Sequence, residues 1–353
     1  AVEDTIKQNP GKVIFFDTDG NYIKSVLVGA LPDNIVWSES GKIIMTANEG
    51  EPNGDYTIDP DGSISIIDLS GGVASVDQSK VTTLDFSAYN SQIASLDSTL
   101  KIFGPGANVQ KDIEPEYIAI SPNELTAWVT LQENNGLAIV DLTTKTITKL
   151  TGLGYKNHNL RGNGLDASDR DNVINIKNWP IFGAYQPDEM QAFTYNGKTY
   201  LIMANEGDAR DYSGYVEEFT LTQQKLNPTI FPVSDSLWLQ KNLGRLKFTS
   251  VKGTKDSVYS YLVSFGARSF SIRDSVGALV WDSGDQIEQF IATQFPNAFN
   301  VSNTNNTLDN RSDDKGPEPE GIVIGKIGNK LYAFVGLERH GGIMVYDISN
   351  PMS

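Results

Sequence analysis

The sequence predicts an all-β chain of the β-propeller class, built from four-stranded blades, and three observations carry that expectation. Short runs rich in Val, Ile, Phe and Tyr recur between Gly, Asn, Asp and Pro, whereas long amphipathic helical patterns are nearly absent. One design repeats: a Pro-acid pair opens a strand, a second strand ends in Glu, and a third ends in Asp or Glu. Long polar insertions interrupt the copies irregularly, which suits propeller blades better than a solenoid, and the repeated motifs argue against a β-sandwich.

The first copy runs from Pro32-Asp33 through IIMTANEG, with Glu49, to SISIIDL, with Asp68. The second runs from Pro115-Glu116 through AWVTLQEN, with Glu133, to LAIVDL, with Asp141. The third is read from Pro187-Asp188 through LIMANEG, with Glu206, to YVEEFTL. The fourth runs from Pro319-Glu320 through AFVGLERHGG, with Glu338, to IMVYDIS, with Asp347. A divergent fifth copy is expected in RLKFTSV and YLVSFGARSFSIRD, with Arg245 and Arg268 where the others carry acids. A sixth, entered late, is expected at the chain start, with Glu3 at the strand-two position and Asp17 closing strand three. On this register residues 1–353 form one propeller domain, incomplete at both ends and seven-bladed when complete, unless the two ends share a blade. Insertions are expected at 152–187 and 296–318, the second with sequons at Asn300, Asn305 and Asn310.

Composition narrows the chemistry. With 44 acidic against 28 basic residues, the net charge of -16 repels nucleic acid and anionic membranes and favours cations. No cysteine is present, and His158 and His340 are the only imidazoles, so a metal site must be mainly oxygen-ligated. Calcium is the expected cofactor, with magnesium or another oxygen-ligated divalent cation as the alternative. No apolar run approaches the roughly 20 residues of a membrane helix. No GxSxG elbow, Walker loop, HExxH or dinucleotide fingerprint occurs.

In a propeller blade the start of strand one and the end of strand two lie at the same end of the channel. That geometry pairs Asp33 with Glu49, Glu116 with Glu133, Asp188 with Glu206 and Glu320 with Glu338, at separations of 16, 17, 18 and 18 residues. Carboxylates gathered at one mouth repel unless cations neutralise them or their pKa values rise, so these residues and Glu3 are the expected metal ligands. In the insertion, Asp166, Asp169 and Asp171 are spaced like calcium-loop ligands without matching an EF-hand. Arg245 and Arg268 admit two readings, an anion clamp for a phosphate ester or a buried salt-bridge cluster. His340 is placed near the same mouth, and His158 is a candidate proton donor.

The stretches LPDNIVWSESGKIIMTANEGEP, IEPEYIAISP, VTLQENNGLAIVDL, NGLDASDRDN, NWPIFGAYQPDEM, MANEGDARDY, SFGARSFSIRD, DDKGPEPEGI and YAFVGLERHGG closely resemble the choice-of-anchor surface proteins of bacteria, a family that echinoderm mesenchyme-specific cell-surface glycoproteins also resemble. The resemblance covers essentially the whole chain. It implies an extracellular, cell-surface or periplasmic location, glycoprotein relatives, and partners such as calcium mineral or polysaccharide. Bacterial members carry an alkaline-phosphatase-like label, and the GPEPEG passage is similar to secreted propeller phosphatases and phytase-like esterases. Two functions stay open: a calcium-binding surface or matrix protein, and a secreted calcium-dependent phosphoesterase.

Overall fold

The computed structural model describes residues 1–221, 225–232 and 234–353, and the fold is all-β, made of antiparallel sheets of the propeller-blade kind. By its internal packing the chain divides into two compact units. The first comprises Ala1–Gly152, Glu189–Thr199 and Tyr212–Val216, and the second Leu153–Asp188, Tyr200–Asp211 and Glu217–Ser353.

In the first unit, β1 (Pro10–Phe16) and β2 (Tyr22–Ala30) form a two-stranded sheet. A four-stranded sheet follows in simple up-down order from β3 (Pro32–Trp37), β4 (Ile43–Asn48), β5 (Ser63–Asp68) and β6 (Val81–Asp85). A second has the same order, with β7 (Ile118–Ile120), β8 (Thr126–Leu131), β9 (Gly136–Asp141) and β10 (Thr146–Gly152). Their middle strands are near-continuous apolar runs because both faces are covered, whereas the outer β6 alternates and exposes Thr83 and Asp85. Met45, Ile64 and Ile66 pack with Ile118, Val129 and Val140 on one side of the first sheet. Ile44, Ile67 and Leu69 pack with Val13, Phe15, Val26 and Val28 on the other, so three sheets stack face to face. Each fully buried aliphatic side chain contributes roughly 1.5–3 kcal/mol to that stacking. At the innermost edge, residues of β3, of β7 and of the strand Met190–Tyr195 line a common cleft of about 310 Å³. First strands therefore meet around one space, as blades require.

The second unit corrects one strand assignment. Residues Tyr200–Asn205 pair antiparallel with Ser269–Asp274, from Tyr200 opposite Asp274 to Asn205 opposite Ser269, and Leu279–Asp282 adds the outer strand. The third strand of the third copy is thus SFSIRD and not YVEEFTL, and the expected fifth copy is the second half of the third. The cause is an excursion with its own core. Glu218–Thr220, Lys247–Thr249, Val263–Ser264, Phe182–Ala184 and Tyr155–Asn157 make a separate five-stranded sheet, over which Leu221, Leu226, Phe231, Leu243, Phe248 and Leu262 pack. SFSIRD has the burial pattern of SISIID and GLAIVD, buried at five positions and half-open at the final Asp, which Glu218–Thr220 lacks. The fourth copy forms as expected from Pro319–Ile327, Lys330–Leu337 and Gly342–Asp347. No helix among the described residues is long and apolar enough to cross a membrane.

Candidate metal centre

The sequence NEG builds the carboxylate positions. Asn48, fully buried at the end of β4, donates through Nδ2 to Ser63 O, Ser63 Oγ and Ser65 Oγ on β5, which pins the strand end. Asn205 is held likewise, its Nδ2 donating to Ser269 Oγ and its Oδ1 accepting from Ser271 Oγ. The next residue, Glu49 or Glu206, is thereby given a fixed exit direction. The glycine after it must be glycine: Gly50 and Gly207 have φ of 71° and 92°, and a Cβ there would lie 2.7 Å from Asp61 O and 2.2 Å from Gly266 N. Facing them, the residue before the strand-one proline is left-handed in three copies, with φ of 49° at Leu31, 42° at Gln186 and 49° at Glu318. Such a conformation is unfavourable before proline, so the corner stores strain. The backbone ties across it, with Glu49 N donating to Leu31 O at 2.9 Å and Glu338 N to Glu318 O at 2.9 Å.

In the first unit these corners bring Asp33, Glu49 and Glu116 together, with one oxygen of each within 4.8 Å of the others. The side chains of Asp33 and Glu49 make no hydrogen bond or ion pair among the described residues. Burial pushes Glu49 up to about 10, reinforced by the charges of Glu51, Glu133, Asp33 and Glu114. Asp33, at the exposed rim, is also raised, first by desolvation and then by Glu51, against Lys7. The cluster opens into a space of about 530 Å³ that Glu3, Lys7, Asp33, Glu49 and Glu51 line. Beside it, Tyr212 Oη donates to Glu51 Oε1 at 3.1 Å, and burial together with Glu114, Glu51 and Glu133 keeps that phenol protonated. Of the expected ligands, Asp33, Glu49 and Glu116 converge, Glu133 acts on them through its charge, and Glu3 lines the opening.

The second unit gathers Glu206, Glu318 and Glu338 as tightly. Here the protein supplies the cations. Lys315 Nζ lies 3.2 Å from Glu206 Oε1 and 3.3 Å from Glu318 Oε2, Arg311 Nη2 lies 2.5 Å from Glu318 Oε1, and Arg339 Nε lies 3.1 Å from both Glu318 Oε2 and Glu338 Oε2. Glu320 raises Glu338 electrostatically without joining the triad, and Asp188 lies outside it.

The two arginines expected at the mouth are committed elsewhere. Arg268, 4% exposed, donates through Nη1 to Asp166 O and Glu288 Oε1 and through Nη2 to Ser312 O and Asp314 O. Arg245 forms a fork on Asp169 and reaches Asp313. Both guanidiniums stand in salt bridges, Arg268 buried with both terminal nitrogens occupied and Arg245 part-exposed with its Nε and Nη2 on Asp169 and Asp313. The aspartates of the insertion do not share a metal-sized cage. Asp169 is the partner of Arg245, Asp171 accepts from Val173 N and Asn175 Nδ2, and the buried Asp166 accepts from Ser168 N and Asn175 N. His340 Nδ1 lies 3.1 Å from Ala298 O, and its ring is tilted against Phe295 at 5.8 Å. His158 is buried with Nδ1 against Asn163 O, and burial together with the Lys156 charge depresses it to about 3, so it stays neutral and is no proton donor near pH 7. Among the sequons, Asn305 is exposed, whereas Asn300 is fully buried and donates to Glu288 and Ser312.

Sequence reading missed Glu51, Glu114, Glu318 and Lys315. Glu114 and Glu318 immediately precede the repeated Pro-acid pair, an alignment visible in IEPEY and PEPEG. Lys315 carried no such signal, since a lysine in a polar insertion reads as a solvated charge.

This strand-corner architecture defines a protein of the β-propeller class with clustered carboxylates. The chain belongs to the choice-of-anchor I family, whose model matches residues 1–351. It is 36% identical over 118 residues to Gigasin-3a of Magallana gigas, covering 31% of this chain and 42% of that protein. It is 27% identical over 285 residues to the mesenchyme-specific cell surface glycoprotein of Strongylocentrotus purpuratus, covering 69% of this chain and 36% of the relative. The matched region therefore spans well under half the length of either relative. Among solved structures, dihydro-heme d1 dehydrogenase NirN matches with TM-score 0.35 and 10% identity, over 98% of this chain and 51% of that one. The periplasmic gluconolactonase PpgL of Pseudomonas aeruginosa matches with TM-score 0.32 and 11% identity, over 94% and 75%.

Proposed function

We propose that this chain is an extracellular or surface-attached β-propeller whose first unit binds a hard divalent cation, calcium by its donor set, at Asp33, Glu49 and Glu116. The role we assign is binding, in which the ion rigidifies the strand corners and presents a charged face to mineral, polysaccharide or another surface molecule. The observation that carries the reading is a tight carboxylate triad in which Asp33 and Glu49 have no donor among the described residues. Such a group stays ionised only with a cation beside it, and otherwise holds protons. An all-carboxylate oxygen set without an imposed octahedral arrangement suits calcium better than magnesium, which demands a strict octahedron.

Titration calorimetry tests this. Wild-type protein is expected to bind calcium more tightly than magnesium, and Glu49→Gln or Asp33→Asn to weaken calcium binding by at least about tenfold, the scale of losing a charged ligand. Equal calcium affinity in wild type and both variants would remove the site. The esterase alternative draws nothing from the arginines. Hydrolysis of a chromogenic phosphate ester with calcium present, lost in Arg268→Ala but retained in the wild type, would bring it back.

A further inference from the structure

The two carboxylate triads share one local design and differ in what neutralises them, and that difference assigns a role to Lys315. We propose that Lys315 is the resident cation of the Glu206, Glu318 and Glu338 cluster, an ammonium standing where a divalent ion would sit, so that this cluster is metal-free in the native protein and becomes a calcium site when the lysine is removed. The inference concerns a different cluster from the proposed centre and does not depend on it.

The Lys315 side chain is 11% exposed. Its Nζ donates to Gly207 O at 2.6 Å and to Glu206 Oε1 at 3.2 Å, and stands 3.3 Å from Glu318 Oε2 and 3.6 Å from Asp208 Oδ1. This shell of carboxylate oxygens and a backbone carbonyl is the donor set of a calcium ion, with bonds lengthened to hydrogen-bond range. Burial alone would lower the lysine, but Glu206, Asp208, Glu318 and Asp314 outweigh it and hold the ammonium well above its ordinary value, so it does not lose its proton to make room for a metal.

The placement is built by the fold. Lys315 belongs to the second insertion, and Arg268 shapes the turn that presents it by donating to Ser312 O and Asp314 O on its near side. Gly316 follows with φ of 69°, and a Cβ there would lie 3.0 Å from the Arg268 side chain. A buried guanidinium therefore positions the ammonium that fills the cluster. Removing Lys315 leaves Arg311 and Arg339 against Glu206, Asp208, Glu318 and Glu338, an excess of negative charge that a divalent cation neutralises.

Calcium stoichiometry by equilibrium dialysis tests the assignment, on a background carrying Asp33→Asn and Glu49→Gln so that the first unit is silent. Adding Lys315→Met is expected to gain about one calcium per chain and a melting temperature that calcium raises, and adding Glu338→Gln to that protein is expected to abolish the gain. In otherwise native protein, Glu338→Gln is expected to leave calcium binding unchanged. A folded Lys315→Met protein that gains no calcium would overturn the proposal, as would a native cluster whose calcium is lost in Glu338→Gln. Should Lys315→Met unfold without calcium, refolding on calcium addition supports the assignment, and continued unfolding in saturating calcium counts against it.

Discussion

Glu49 holds a proton in the metal-free fold because its carboxyl is pushed up to about 10. Its unfolded value is near 4.5, so between those limits the folded state carries a proton that the unfolded state has released. Stability from this group is complete below pH 4.5 and declines as pH rises toward 10. Buried Asp166 and Asp309, each pushed up to about 7, act in the same direction over the narrower interval from about 4 to 7. Chemical denaturation of chelated protein should therefore show stability falling from pH 5 to pH 9, with the fall reduced in Glu49→Gln. A metal that displaces the Glu49 proton must bind more tightly as pH rises, by up to about tenfold per unit between pH 6 and 9. Calcium affinity that is flat across that range would show that Glu49 is not a ligand. A second residue-scale expectation concerns Gly183, where a Cβ would lie 2.6 Å from His158 Nε2 and 2.8 Å from Gly266 O. Gly183→Ala should cost about 1–3 kcal/mol by forcing the buried imidazole aside, and an unchanged denaturation midpoint would contradict that packing.

At the scale of the element, the strand corner is the working unit, and the asparagine before the glutamate is its anchor. Asn48→Ala removes four buried hydrogen bonds, three donated through Nδ2 and one accepted from Thr46 Oγ1, and leaves serine hydroxyls on β5 with fewer partners, so a loss of about 1–3 kcal/mol is expected, together with weaker calcium binding from a displaced Glu49. Full calcium affinity in a destabilised but folded Asn48→Ala protein would show that the corner does not aim the ligand. Much of this element was legible. The Pro-acid and NEG patterns fall at strand starts and ends as read, because a proline fixes where a strand enters and a glycine fixes where it turns. The third strand of the third copy was not legible by proximity. Residues 206–268, whose described strands belong to separate sheets, come between Asn205 and Ser269. The readable clue was chemical: SFSIRD repeats the paired serines of SISIID, and those hydroxyls serve the same asparagine role.

Across the whole chain the balance is -16, and the described carboxylates are not treated alike. The Glu206, Glu318 and Glu338 cluster of the second unit is met by Lys315, Arg311 and Arg339, whereas Asp33 and Glu49 of the first make no ion pair among the described residues and feel Lys7 only through its charge. Sequence spacing exposed the acidic positions because strand ends recur with the blade. It did not expose Lys315 and Arg311, which come from an insertion without periodicity. It also suggested that all four pairs would behave alike, and it left Arg268 between an anion clamp and a salt-bridge cluster, whereas that guanidinium pairs with Glu288 and holds the turn that carries Lys315. Calcium binding to the folded state alone should raise the melting temperature by mass action, with the shift growing as the logarithm of calcium concentration.

The most direct measurement is anomalous diffraction from crystals of this chain soaked in a calcium-mimicking lanthanide. The account predicts a peak bounded by the carboxylates of Asp33, Glu49 and Glu116 at about 2.3–2.6 Å from their oxygens, and none at Lys315. Crystals that show no peak among those three residues, while the ion appears at Glu206, Glu318 and Glu338 instead, would contradict it.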